Sequence, residues 1–212
     1  MTFEERLLNL KKKIEGGLSA EAINIMHSAT KALQETGIED NILKAGEKAP
    51  EFTLHNQEGN LVSSKDVLKK GPIIVTFYRG VWCPYCNLDL SNLKRHLDQF
   101  EENNATLVSI SPQIAKYNAQ IVERQRLPFG VLSDEGNQVA AKFGLRWEMV
   151  DPLKSLYNDQ FQISLPKYNG EDSWTLPMPA RYLIDTDGII RYAEAKADYT
   201  NRPNPDELIE AF

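Results

Sequence analysis

The chain has 212 residues, 42% of them hydrophobic and 25% charged, enough apolar content for one domain with a full core and an appendage. Its 24 Lys and Arg against 30 Asp and Glu leave a net charge of −6 with no basic block, which argues against a nucleic-acid partner. No stretch approaches the ~18 consecutive apolar residues of a membrane span, and the first residues lack a basic start followed by an apolar run, so the expectation is a cytoplasmic protein without membrane attachment.

Phe3, Leu7, Leu10 and Ile14 recur at helical spacing. After Gly16-Gly17 a second helix is expected to open at Ser19, with Ala22, Met26, Ala29 and Leu33 on one face and Gly37 as its terminator. Residues 1–42 therefore read as a helical extension whose apolar stripe must be covered, by the rest of the chain for preference and by a second subunit otherwise. Met26 is assigned to the core. Beyond a linker to Pro50, Phe52-Thr53-Leu54 reads as a short strand closed by the turn at Asn56-Gln57-Glu58-Gly59, and Ser63 or Ser64 as the cap of a brief helix ending at Lys70-Gly71-Pro72.

Residues 73–78 (Ile-Ile-Val-Thr-Phe-Tyr) read as a buried strand. After a link of four residues, Cys86, Leu90, Leu93, Leu97 and Phe100 recur at intervals of four and three, one face of a helix from 84 to about 102. Pro84 suits the first helical turn, where its missing N–H is no loss, so Cys83 falls at or beside the N-cap with unpaired amide donors facing it. That position favours a thiolate at Cys83, with Cys86 one turn inward as the resolving thiol. Inert core packing and a structural disulfide are the bland alternatives, although a loop this short removes little chain entropy. No metal site and no cofactor are expected, because the two cysteines stand with only three histidines (His27, His55, His96), none at finger spacing from the pair.

Further strands are expected over Ala105–Ile110 and Phe129–Leu132, with helices over 113–125 and 137–143 and Gly144 closing the second. Strand, helix and strand in series imply a parallel core with right-handed crossovers. Residues 145–173, with Trp147, Tyr157, Phe161 and Ile163, are too apolar for a free linker and too irregular for one helix. They are read as an insertion forming a lid or rim at the active-site mouth, with a dimer contact or plain core cover as alternatives. Thr186-Asp187-Gly188 signals a hairpin between antiparallel strands 182–185 and 189–193, so the sheet should be mixed, and a last helix should pack through Leu208 and Ile209.

The run Trp82-Cys83-Pro84-Tyr85-Cys86 resembles a thioredoxin-fold active site, with Trp before the first cysteine as in thioredoxins and Cys-Pro-Tyr-Cys as in glutaredoxins. The wider pattern is Gly46-Glu47-Lys48-Ala49-Pro50-Glu51-Phe52-Thr53-Leu54, Gly59, the buried strand, and Pro177-Met178-Pro179-Ala180-Arg181-Tyr182-Leu183-Ile184-Asp185-Thr186-Asp187-Gly188. Over residues 46 to 194 it resembles the alkyl hydroperoxide reductase and thiol-specific antioxidant branch, the peroxiredoxin-like proteins. The resemblance implies an α/β, thioredoxin-like fold over residues 43–212, a central mixed β-sheet flanked by helices, behind the N-terminal helical extension. It implies a thiol-dependent peroxidase that reduces hydrogen peroxide or organic hydroperoxides through a Cys83 sulfenate resolved by Cys86. Thioredoxin or a similar dithiol reductant would be the recycling partner, and a homodimer is left open.

The resemblance also places a cis Pro179 facing the active cysteine. Arg79 is the first choice for holding the thiolate and polarising the leaving oxygen, and Tyr78, Trp82, Pro84, Tyr85, Pro179 and Arg181 are assigned to the pocket. Two departures stand out. The hydroxyl residue the family places three before the attacking cysteine is Gly80 here, and the family's activating arginine falls on Pro179, with Arg181 displaced by two. The alternative activity is thioredoxin-like thiol-disulfide exchange on protein or small-molecule disulfides, and the alternative of a different class is a non-enzymatic binding or scaffold protein.

Overall fold

The computed structural model describes residues 1–212. Its centre is β3 (Ile73–Phe77), buried at every residue. Both faces of this strand are covered, which is why its sequence is a continuous apolar run and not an alternating one. β4 (Thr106–Ser111) pairs with β3 in parallel and β5 (Gly130–Ser133) with β4 in parallel, while β8 (Ala180–Ile184) pairs antiparallel on the other side. β1 (Thr53–Asn56), β2 (Leu61–Ser63) and β9 (Ile190–Ala195) complete seven strands in the order β2-β1-β5-β4-β3-β8-β9. The sheet is mixed, as expected. β2 escaped the sequence reading because three residues carry too little periodicity to stand out.

The first crossover is not the single helix expected over 84–102. α4 (Pro84–Leu93) and α5 (Leu97–Glu102) are separated by a 3-10 turn at Lys94–His96, where the His96 ring meets the Asn92 carbonyl at 2.9 Å. α6 (Ala115–Gln125) forms the second crossover and starts later than expected. α3 (Ser64–Leu68) is present, but the Ser64 hydroxyl accepts the Phe52 N–H at 3.0 Å and the Ser63 hydroxyl makes no capping bond. The β8–β9 hairpin turns at Gly188, whose φ of +80° an L side chain resists and whose N–H reaches the Asp185 carbonyl at 2.8 Å.

α1 (Phe3–Glu15) starts in a capping box, Thr2 and Glu5 each bonding the other's backbone N–H. Its expected stripe faces α4: Leu7 is buried there, with Phe3, Leu10 and Ile14 packed around the same cluster. α2 (Ala20–Glu35) is capped by Ser19 and sends Ala22 and Met26 into a separate cluster with Leu153, Leu156, Tyr157, Leu165 and Leu176. The same chain covers the helical stripes. No helix is long and apolar enough to cross a membrane.

The segment after α7 (Gln138–Lys142) begins with a small ribbon in which β6 (Arg146–Glu148) pairs antiparallel with β7 (Thr175–Pro177). Between these strands lie α8 (Asp151–Ser155), a π-helical turn at Leu156–Gln160 and α9 (Leu165–Asn169). The π-turn carries Tyr157, as such turns often carry functional side chains. α10 (Pro205–Ile209) closes the fold with Leu208 fully buried and Ile209 half-buried against the α4 side.

Candidate active site

β3 delivers the chain to a tight loop, Arg79-Gly80-Val81-Trp82, and α4 takes it away. Gly80 is required by close approach, since a Cβ there would lie 2.4 Å from Trp82 Nε1 and 3.0 Å from Gln113 Oε1. A side chain at this position, three residues before Cys83, is thus excluded by the Trp82 indole. Behind the loop, Gln113 Oε1 accepts the Val81 N–H at 2.9 Å, and Gln113 Nε2 donates to Tyr78 Oη (3.2 Å) and Asn118 Oδ1 (3.1 Å). Tyr78 Oη donates in turn to Asn118 Oδ1 at 2.9 Å. Tyr78 was expected in the pocket wall, yet it belongs to this buried support, and burial pushes its phenol up, further from any proton-transfer role at neutral pH. The late start of α6 has the same origin, because Gln113 is committed to the loop.

Cys83 is the N-cap of α4, with Pro84 in the first turn, and its Sγ accepts the Cys86 N–H at 3.4 Å. The two sulfurs are 2.8 Å apart and both cysteines are free, with Cys83 1% and Cys86 0% exposed. Cys86 Sγ also takes the Arg79 backbone N–H at 3.4 Å.

Three arginines surround or support the pair. The Arg79 guanidinium does not bond to sulfur. It lies 4.1 Å over the Tyr199 ring and 5.0 Å over Trp82, and its Nη2 donates to Tyr157 Oη at 2.6 Å. Its buried Nε–H has no partner. Arg181 lies away from the sulfurs, with Nη2 on both oxygens of Asp89 (2.8 and 3.0 Å) and Nη1 on the Pro203 carbonyl at 2.6 Å. The guanidinium that touches sulfur is Arg202, which sequence reasoning missed. Its Nη2 is 3.1 Å from Cys86 Sγ and 3.8 Å from Cys83 Sγ.

Burial alone would push the Cys83 thiol up. The Cys86 S–H, the Arg79 and Arg202 charges and the Cys86 N–H outweigh it and bring the thiol down to about 5. Cys86 moves up, through its own burial and the neighbouring Cys83 sulfur. The electrostatics therefore divide the pair into a thiolate at Cys83 and a protonated thiol at Cys86.

Cys83 opens onto a cavity of about 220 Å³ whose walls come from four parts of the chain. The Arg79–Tyr85 stretch supplies the floor, including Trp82, Pro84 and Tyr85 as expected. The N-terminal extension contributes Ile14, Leu18 and Met26; the insertion contributes Tyr157, Phe161 and Ile163; the loop after β9 contributes Tyr199. Met26 is both core and cavity wall, and its Sδ accepts the Tyr199 O–H at 3.5 Å. Pro179 and Arg181 do not line this cavity. Pro179 also corrects a second expectation, for no peptide bond in the chain is cis; its carbonyl accepts the Lys196 N–H at 3.0 Å and so ties β8 to the end of β9.

Residues 45–193 match the AhpC/TSA family. The chain belongs to the AhpC/TSA family. Among its relatives are peroxiredoxin Bcp of Escherichia coli K12, 28% identical over 152 residues (72% of this chain, 85% of the relative), and chloroplastic peroxiredoxin Q of Sedum lineare, 25% identical over 194 residues (92% and 88%). Chloroplastic peroxiredoxin Q of Oryza sativa subsp. japonica is 27% identical over 164 residues, and there the alignment spans only 62% of the relative's length. In three dimensions, peroxidoxin BcpB from Mycobacterium tuberculosis superposes with a TM-score of 0.63 at 21% identity, covering 80% of this chain and 96% of that one. This likeness establishes the fold, thioredoxin-like as expected. The AhpC/TSA match ends at residue 193, ahead of Tyr199 and Arg202.

Proposed function

We propose that the chain is a thiol peroxidase that reduces hydrogen peroxide or organic hydroperoxides with Cys83 as nucleophile and Cys86 as resolving thiol. The observation that carries this reading is the Cys83 sulfur on the wall of an apolar cavity, with Cys86 Sγ 2.8 Å away and two guanidinium groups nearby. The Cys83 thiolate attacks one peroxide oxygen, the O–O bond breaks, and the leaving oxygen takes up a proton as alcohol or water while Cys83 becomes the sulfenic acid. Arg79, which lines the cavity, is the proposed donor to the oxygen that gains charge. Cys86 then attacks the Cys83 sulfur and expels the hydroxyl as water, closing the disulfide. A thioredoxin-type dithiol returns two electrons and two protons through a mixed disulfide, and itself ends as a disulfide.

Thiol-disulfide exchange on protein disulfides is the less supported reading, since Cys83 is 1% exposed and faces a cavity of about 220 Å³, the size of a small molecule. The decisive experiment supplies hydrogen peroxide or an organic hydroperoxide to reduced protein while mass spectrometry follows the Cys83 sulfenate and the Cys83–Cys86 disulfide. Faster oxidation than that of the unfolded chain is expected; equal rates remove the peroxidase reading.

A further inference from the structure

Arg202 reaches the sulfurs from a loop distant in sequence, and something must hold it there. Its Nη1 bonds carbonyls of its own loop, those of Tyr199 and Asn201, which fixes the guanidinium to the loop but not the loop to the dithiol. The tie to α4 runs through Asp89, one turn beyond Cys86 and 3% exposed, whose Oδ2 faces Arg202 Nε at 3.6 Å. Arg181 completes the arrangement by gripping both oxygens of Asp89 and the carbonyl of Pro203, the residue after Arg202. Arg181 is 0% and Arg202 7% exposed, so three charges lie buried together. Such an arrangement is costly to desolvate and is weak evidence of stabilisation by itself, which leaves its geometry as the property to explain.

We infer that Asp89, held by Arg181, is a positioning residue that sets the Arg202 guanidinium against the Cys83–Cys86 sulfurs. Arg181 and Asp89 touch neither sulfur nor cavity and act through Arg202. The inference rests on the reading of Cys83 as the attacking thiolate. Other charged or titratable groups also face the dithiol: Arg79 from the loop after β3, Tyr78 beneath it, Tyr157 from the π-turn, Tyr85 from α4 and Tyr199 from the loop of Arg202. None of them contacts Asp89 in the ion triad.

The sign of one shift separates positioning from a plain charge effect. Removing a nearby negative charge makes its surroundings more positive and, with Arg202 still in place, would lower the Cys83 thiolate pKa. Loss of Arg202 from the sulfurs would raise it. The test measures Cys83 alkylation by iodoacetamide against pH in the reduced full-length protein, with no peroxide present, so its outcome is independent of the peroxidase assay. Asp89→Asn is expected to raise the Cys83 pKa by about one unit, a roughly tenfold loss of alkylation rate below the pKa. Arg202→Met should raise it at least as far, and adding Asp89→Asn to Arg202→Met should change little more, as for residues acting through one group. A lowered pKa in Asp89→Asn, or additive shifts in the double variant, would overturn the inference. If Asp89→Asn does not fold, Asp89→Glu keeps the charge but displaces it by a methylene; the same upward shift is expected, and an unchanged profile would overturn the inference.

Discussion

Cys83 and Cys86 are chemically alike in the sequence and unlike in the fold, because only one meets the cavity while the other is enclosed on all sides. Cys83→Ser should abolish peroxide turnover, whereas Cys86→Ser should allow one oxidation per chain and leave a Cys83 sulfenate that excess peroxide drives to the sulfinate, read as successive oxygen additions by mass spectrometry. In the unaltered protein the sulfurs are close enough for condensation with little movement of α4, so over-oxidation should need much more peroxide. The Cys83 pKa is lowered, so its thiolate fraction is high at neutral pH and falls only as the pH drops through the folded value of about 5. Alkylation of Cys83 should therefore hold its rate from pH 8 down to about 6 and decline below, where an ordinary thiol near pKa 8.5 would already have lost most of its rate. The nucleophile and its partner were legible in the sequence because a three-residue interval, a proline and a strand-to-helix junction are local signals. Arg202 was not, since an arginine between Asn201 and Pro203 carries no local sign of a thiol on the far side of the chain. Asp89 offered the one available hint: a carboxylate three residues after Cys86 and four before Leu93 shares a helix face with these apolar positions and, once buried, demands a cationic partner from elsewhere.

The loop joining β3 to α4 has no regular structure, yet it is fixed from both sides, by the Trp82 indole over Gly80 and by Gln113 and Asn118 beneath. Gly80→Ala would drive a methyl group into the indole nitrogen and the Gln113 amide. A destabilisation of about 1–3 kcal/mol is expected, measured by denaturant unfolding, together with slower Cys83 alkylation as the loop shifts. An unaltered denaturation midpoint would show that the indole can move aside at no cost. At this level the sequence was informative about long periodic elements: α1, α2 and β3 lie close to where spacing put them, and the helix expected over 84–102 starts as expected but is broken at Lys94–His96. The insertion was legible as an apolar, irregular stretch and a candidate rim, but not as a set of elements. The reason is physical: its pieces of three to five residues are stabilised by contacts with α2 and with the cavity, not by their own periodicity.

Taken whole, the molecule surrounds its dithiol with segments from nearly the full length of the chain. On the proposed function a small hydroperoxide would enter through the cavity, while a protein reductant would have to bring a sulfur in line with two sulfurs that are almost fully enclosed. Opening the rim should therefore matter more for a large donor than for a small one. Phe161→Ala, at the half-buried edge of the insertion, is expected to raise the rate at which thioredoxin reduces the oxidised protein several-fold and to alter reduction by dithiothreitol much less. Equal effects on both donors would mean that access is not governed by this rim.

The separation of Arg202 from the cysteines also has a kinetic meaning. The contact with Cys86 spans 116 residues of chain, and contacts of such range form late because so much intervening chain must first be ordered. During refolding Cys83 should pass through a stage with native-like helices but the reactivity of an ordinary thiol, and become a strong nucleophile only when the distant loop docks. The dithiol would then serve as a clock for the last step of folding, readable by pulsed alkylation.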